Sequence, residues 1–165
     1  MSDLPEYVIE RSFSAPRELV WRAWTDPELL SRWYGPNVET IIHRFDLEPE
    51  GQWLNEMKWG ENSNYQKVIF KEVLAPEKMV WHHHSCTDGD WNDMANPMMP
   101  DWPHLLLTTV TFTSDGETTK VRLSQIPLDC SEAEIACFAD AMANMDKGWG
   151  SGFEILQSLL QELAA

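Results

Sequence analysis

The sequence carries little positive charge. It has 12 Lys and Arg against 27 Asp and Glu among 165 residues, which gives a formal net charge of −15. Non-specific binding to nucleic acid needs a basic surface that displaces counterions, and an anionic membrane attracts basic segments rather than acidic ones. We therefore expect no nucleic-acid partner and no membrane-surface partner, and we interpret the acidic excess as favouring solubility.

Cysteine and long apolar runs are also scarce. The three cysteines, Cys86, Cys130 and Cys137, have no Cys-x-x-Cys spacing, so we expect neither a disulfide framework nor a cysteine-based zinc site. No apolar run approaches the roughly 20 residues of a membrane span. The N-terminal residues lack the basic and apolar regions of a signal peptide. We predict a cytoplasmic protein with reduced thiols.

The common catalytic motifs are absent. The chain has no GxSxG, no phosphate-binding loop, no GxGxxG and no HExxH. Its glycine-rich segment, residues 148–152, falls within a predicted helix and not between a strand and a helix, so it is not a phosphate cradle. Carboxylates are too numerous for any one pair to be singled out for acid–base chemistry. We predict no metal and no cofactor.

The chain is instead rich in large, polarisable apolar side chains. It has nine tryptophans and eight methionines, and 43% of its residues are hydrophobic. This length suits one domain, which we place over residues 1–165, and the composition argues against disorder. Side chains of this size either pack very tightly or surround a shaped hollow.

Hydrophobic periodicity predicts a strand, two short helices, six strands and a long helix. Ser14 and Asp26 are expected to cap the short helices, and Ser131 with Glu134 forms a capping box for the long one. Short turns between successive strands indicate an antiparallel sheet, whose concave face the long helix covers, in an α+β fold. A period of two predicts strands over residues 7–14, 38–47, 52–59, 65–74, 78–85, 105–113 and 118–126.

One irregular stretch, residues 86–103, separates two of these strands. Its glycine and prolines exclude a regular element, while its apolar content argues against disorder. We interpret it as a lid over a cavity; as an alternative, its apolar residues form an exposed surface patch. The large apolar side chains in it are Trp91, Met94, Met98, Met99 and Trp102.

The positions of the three consecutive histidines, residues 82–84, depend on which face of the predicted strand points inward. If Trp81 points inward, so does His83, while His82 and His84 lie on the outer face with Cys86. His83 is then the candidate acid or base, although a hydrogen-bonded core histidine is the commoner outcome. A metal site on His82, His84 and Cys86 is less favoured, because no further ligand stands at a diagnostic spacing.

Three polar residues share the phase of inward-facing apolar residues. Asn55, Thr108 and Gln125 would each need a partner when buried, and a neighbouring strand, a water or a ligand would serve. The last helix carries an apolar stripe at steps of three and four, from Ile135 to Leu160. Together with that stripe, the inward face predicts a ligand-binding set of Trp53, Asn55, Met57, Trp59, Trp81, His83, Thr108, Val110, Met142, Met145 and Trp149.

Several short motifs point to a family. They are FSAP at 13–16, VW at 20–21, AWTDPELL at 23–30, WYGP at 33–36, GQW at 51–53, PEKMVW at 76–81 and GWG at 148–150. These segments resemble the family named after the C-terminal domain of the activator of the Hsp90 ATPase. The resemblance spans nearly the whole chain and implies the helix-grip fold of the START-like superfamily, whose members commonly hold a hydrophobic ligand between sheet and helix.

We therefore expect a protein that binds a small hydrophobic or amphipathic molecule, rather than an enzyme. The first alternative is a cyclase- or hydratase-type enzyme that uses His83. The second is a chaperone-related interaction module or a homodimer formed through the loop. We expect a single domain without the separate N-terminal region of the eukaryotic co-chaperone, so chaperone activation is not carried over. The loop is also longer and richer in Trp and Met than is usual in the family, so the ligand class is not carried over either.

Overall fold

The computed structural model describes residues 4–35 and 38–164, and within them the elements follow the predicted order. The helices are α1 (Arg17–Thr25), α2 (Pro27–Trp33) and α3 (Glu132–Ala164). The strands are β1 (Tyr7–Phe13), β2 (Glu39–Phe45), β3 (Gln52–Trp59), β4 (Asn62–Leu74), β5 (Lys78–Thr87), β6 (Leu105–Asp115) and β7 (Thr118–Leu128).

All seven strands form one curved antiparallel sheet in the order β1-β7-β6-β5-β4-β3-β2. Strands β2 to β7 follow one another as a meander, and β1 closes the far edge by pairing with β7. The crossing from β1 to β2, at opposite edges, is made through α1 and α2. Both of these helices contact α3, which covers the inner face of the sheet. The predicted α+β architecture is confirmed.

Two of the three predicted helix caps are present. The Asp26 side chain accepts a hydrogen bond from the Glu28 N–H, and Ser131 and Glu134 form the reciprocal capping box. The prediction for Ser14 is wrong, because α1 is preceded by Pro16 and has no side-chain cap. The extended backbone of Pro16 starts the helix at Arg17, too far along for the Ser14 hydroxyl to cap it.

The core lies between α1, α2, the C-terminal part of α3 and the inner face of the sheet. Trp24 is at its centre: it stacks on Trp149 and makes edge contacts with Trp33, Phe112 and Phe153. Such aromatic pairs add to the large area that each ring removes from water.

Burial along α3 is uneven. Its second part buries Phe153, Leu156, Leu159 and Leu160, whereas no residue from 139 to 151 is buried. The middle of the helix therefore carries its apolar stripe without being pressed against the sheet.

The long connection between β5 and β6 starts later than predicted, because β5 continues to Thr87. Its first part lies on the outer face, where Trp91 packs against His43 and Tyr65. The Asp93 carboxylate pairs with His84 Nδ1 there, at 2.9 Å. Residues 96–102 lie on the other side, over the inner face. We name residues 88–103 the crossing loop.

Candidate functional site

A cavity of about 600 Å³ lies between the sheet and the middle of α3. Apolar side chains form most of its wall: Met57 and Leu106 from the sheet, Trp33 from α2, and Met145 and Trp149 from α3. The crossing loop adds three further apolar side chains to the lining, Met98, Met99 and Trp102. The volume falls within the range of roughly 300–1,000 Å³ that is usual for small-molecule pockets.

Polar side chains cross the inner face of the sheet beside this cavity, and strands β3 to β7 each contribute at least one. The register places Asn55 opposite Gln66, and Thr108 opposite Gln125. We name this set the polar band: Asn55, Asn64, Gln66, His83, Ser85, Thr108 and Gln125. Its members in β4, β5 and β7 line the cavity, whereas Asn55 and Thr108 lie deeper.

The polar band satisfies only part of its own hydrogen-bonding capacity. Gln66 Nε2 donates to Asn64 Oδ1 at 3.0 Å, and Gln125 Nε2 donates to Thr108 Oγ1 at 3.2 Å. The Gln66 Oε1 and His83 Nδ1 atoms are buried without a partner, as are both polar atoms of the Asn55 amide. Buried polar atoms without partners are rare in proteins and are costly, so this set invites a bound water or ligand.

His83 contributes a neutral imidazole. The side chain is only 6% exposed. Burial, reinforced by the neighbouring His84, lowers the pKa of His83 from 6.5 to about 4. At neutral pH the ring is therefore uncharged, with one nitrogen as a donor and the other as an acceptor.

The part of the cavity wall that the structure describes carries no formal charge. Of the described residues that line it, none is Asp, Glu, Lys or Arg, although the chain contains 39 such residues. Its polar lining consists of the amides of Asn64, Gln66, Asn96 and Gln125, the Ser85 hydroxyl, the Tyr34 phenol and the His83 imidazole. Burial raises the pKa of the Tyr34 hydroxyl, so that group stays protonated as well.

The structure divides the predicted ligand-binding set into two groups. Met57, Trp59, His83, Met145 and Trp149 line the cavity. The other six lie outside its wall; over Trp81, for example, the space is occupied by Trp24 of α1. Those six are Trp53, Asn55, Trp81, Thr108 and Val110, which are buried, and Met142, which packs against the core.

Sequence reasoning overlooked several residues of the wall. Asn64 and Gln66 stand in phase with the buried Val68 and Phe70 of β4, so the alternation would have marked both as inward-facing. Asn64 was missed because the strand was predicted to start at Tyr65, whereas Gln66 lay within the predicted strand and its phase with Val68 was not used. Trp33 and Tyr34 were assigned to a helix end, and no local pattern shows that this end reaches the cavity.

A second pocket of about 510 Å³ adjoins the first. The two share four lining residues: Trp59 and Asn64 from the sheet, and Asn96 and Met98 from the crossing loop. Trp59 is 42% exposed and Met98 is 83% exposed, which makes this shared boundary the most accessible apolar part of the site.

The outer-face histidines make local contacts. His84 pairs with Asp93 on the outer face. Cys86, which was expected on that face, is buried and accepts a long hydrogen bond from Asn64 Nδ2 of the polar band. Over residues 4–35 and 38–164, no group of three or more His, Cys, Asp or Glu side chains is arranged to hold a metal ion. None of the helices in that part of the chain is long and apolar enough to span a membrane.

Comparison with known families agrees with this architecture. The model of the family described as "Activator of Hsp90 ATPase homolog 1-like protein" matches residues 14–161. The chain belongs to this family. That match confirms the resemblance in the sequence motifs, and no curated protein matches the chain in sequence.

Solved structures confirm the helix-grip fold of this family member. A protein from Mycobacterium smegmatis superposes with a TM-score of 0.77 at 20% identity, with 96% of each chain covered. A protein from Arthrobacter aurescens reaches 0.79 at 19% identity, over 95% of this chain and 86% of the other. A protein from Nitrosomonas europaea reaches 0.71 at 23% identity, over 95% and 94%. At these identities the likeness concerns the fold alone.

Proposed function

We propose that this protein binds a small, mostly hydrophobic molecule in the cavity between the sheet and α3. The observation that supports the proposal most strongly is a cavity of about 600 Å³ whose wall joins apolar side chains to unpartnered buried polar atoms. Apolar walls supply affinity, and a few polar groups fix the orientation of a ligand. A core that only had to be stable would not leave a space of this size, and within its lining Gln66 Oε1 and His83 Nδ1 are without partners.

The state of His83 favours binding over catalysis. A general acid or base works best with a pKa near the working pH, whereas burial holds the pKa of His83 at about 4. A neutral imidazole in this position suits a hydrogen bond to a ligand. The alternative is a cyclase- or hydratase-type enzyme. It predicts that the wild type converts a bound compound, and that a His83→Gln variant binds the same compound without converting it.

The crossing loop also favours binding over a surface interaction. A docking patch would need Trp91, Met98, Met99 and Trp102 together on one surface. Trp91 packs on the outer face against His43, while the other three line the cavity. The version of this alternative that is still to be tested is a homodimer formed through the crossing loop. A native mass spectrum detects such a dimer directly.

Two measurements test the proposal. Native mass spectrometry of the purified protein, followed by denaturing extraction, detects a co-purified small molecule and any dimer. Titration with the uncharged dye Nile red then measures whether the cavity takes up an apolar molecule, since the dye fluoresces strongly in apolar surroundings. We expect a single saturable site and a large rise in fluorescence.

Gly148 offers a matched pair of variants for this titration. It lines the cavity, and an added Cβ would meet no atom within 4 Å. Gly148→Leu should fill part of the space and weaken Nile red binding by about tenfold or more, while Gly148→Ala should bind as the wild type does. Equal dye binding by both variants would place the dye elsewhere and count against the proposal.

A further inference from the structure

We propose that the ligand is an uncharged, largely aromatic molecule that carries a donor and an acceptor side by side, as a carboxamide, lactam or hydroxy-ketone does. This inference rests on the proposed function and adds the chemical class of the ligand. It predicts that the cavity rejects carboxylates and ammonium ions of the same shape.

The absence of charged side chains from the described lining is the first reason for this ligand class. The described lining contains no acidic or basic side chain, and its histidine is neutral at physiological pH. An ion that enters such a cavity loses its hydration and gains no partner of opposite charge, which is far more costly than burying a neutral amide. The net charge of −15 opposes anions further. Selection against ions therefore follows from the composition of the wall.

The presence of two polar atoms without partners, Gln66 Oε1 and His83 Nδ1, is the second reason. Gln66 and His83 lie on neighbouring strands, since Val68, two residues after Gln66, pairs with His83 in the register. Gln66 Oε1 is an acceptor without a donor, and His83 Nδ1 has no partner. Gln66 Nε2 already donates to Asn64 Oδ1, so Gln66 offers its oxygen as an acceptor. The imidazole adopts the tautomer that its partner requires, so His83 Nδ1 can serve as the donor.

These two side chains therefore present an edge that can both donate and accept. A ligand that matches both has a donor and an acceptor on adjacent atoms. The rest of the wall favours flat rings, because the partly exposed indoles of Trp59, Trp102 and Trp149 line the same space. A planar ring system with one amide-like edge satisfies both parts of the cavity.

Three compounds of nearly identical shape test the inference: biphenyl carboxamide, biphenyl carboxylate and biphenyl methylammonium. Each is used to displace Nile red from the wild-type protein at neutral pH. We expect the carboxamide to displace the dye at a concentration about tenfold or more below that of either ion. Displacement by either ion within about threefold of the carboxamide would overturn the inference and leave the proposed function intact. Failure of Nile red to bind at all would overturn the proposed function itself.

A charged substitution in the cavity wall tests whether Gln66 contacts the polar end of the ligand. Gln66→Glu changes an amide to a carboxylate of the same shape, and it should improve displacement by the ammonium compound about tenfold while weakening the carboxamide. Gln161→Glu adds the same charge on the exposed surface of α3 and should change neither. Displacement by the ammonium compound that is the same in folded Gln66→Glu as in the wild type would overturn the role of Gln66. Should that variant fail to fold, the wild-type series still decides the inference.

Discussion

The inner face of the sheet contains two adjoining regions that differ in how they are covered. In the packed region, around Trp81 and Phe112, Trp24 from α1 and Phe153 from α3 fill the space completely. In the cavity region, around His83 and Leu106, a volume of about 600 Å³ stays open. Only one residue of β5 separates Trp81 from His83.

The comparison shows that facing inward and being packed are separate properties. Strand alternation sends Trp81 and His83 to the same face, but helices from distant parts of the chain decide which of them is covered. α1 and the C-terminal part of α3 cover the packed region, and the segment of α3 from 139 to 151 stands over the cavity region without being buried. The first region supplies stability and the second leaves room for a guest.

The largest expected effect is in the packed region. Trp24 is 2% exposed and touches aromatic side chains from α2, α3, β5 and β6. Trp24→Ala should lower the free energy of unfolding by about 4 kcal/mol, because it leaves a void among rings that cannot collapse. Urea unfolding measures this loss, with the exposed Trp59→Ala as the control for stability. A loss as small as that of the control would contradict the packed region as described.

The pH dependence of stability tests the cavity region. The pKa of His83 is about 4 in the folded protein and 6.5 in the unfolded chain, so the unfolded chain takes up the proton first. The contribution of neutral His83 is complete above about pH 6.5 and is lost as the pH falls towards about 4, a loss of about 3 kcal/mol.

His83→Gln should therefore flatten the stability profile in that pH window. His104→Gln serves as the matched control, because the side chain of His104 is exposed. Urea unfolding at several pH values provides the measurement. Identical profiles for the two variants would mean that His83 is already protonated or exposed in the folded protein.

Two substitutions on α3 should distinguish the cavity region from the packed region. Trp149→Ala removes a half-buried wall of the cavity, so we expect a loss of stability of about 2 kcal/mol, smaller than for Trp24, and Nile red binding weaker by about tenfold. Met142→Ala, on the same helix but outside the cavity wall, should lower stability and leave dye binding unchanged. Parallel losses of dye binding in both variants would indicate a general loosening of α3.

The smallest expected effect is a gain. Gly148→Ala should stabilise the protein by about 0.5–1 kcal/mol, since alanine restricts the unfolded chain and favours the helix. The added methyl group meets no atom within 4 Å, so no clash offsets the gain. Thermal unfolding measures it, and a lower melting temperature would show that glycine is needed there for a close approach.

Most of the fold could be predicted because its signals are local. Alternation marked the strands, and the Asp26 cap and the Ser131–Glu134 capping box marked two helix starts. The Ser14 cap failed because Pro16, two residues later, starts the helix. The end of β5 was misplaced because polar residues continue the strand through Thr87.

The candidate site was harder, because its boundary depends on distant contacts. Met57 and Trp53 share one face of β3, yet only Met57 lines the cavity, since Tyr34 and Phe45 pack against Trp53. Alternation indicates the face of a strand but not the length of it that a helix covers. The contribution of Trp33 and Tyr34 has no local signal, because it depends on where α2 lies against the sheet.

The unburied segment of α3 has a consequence for motion. Backbone amides in a helix exchange with solvent deuterium when the helix opens locally, and opening costs least where few apolar contacts are broken. Residues 139–151 should therefore exchange sooner than residues 152–160 of the same helix, which bury Phe153, Leu156 and Leu160. A ligand in the cavity would supply the apolar contacts that residues 139–151 lack. The helix would then report occupancy as slower exchange along part of its length.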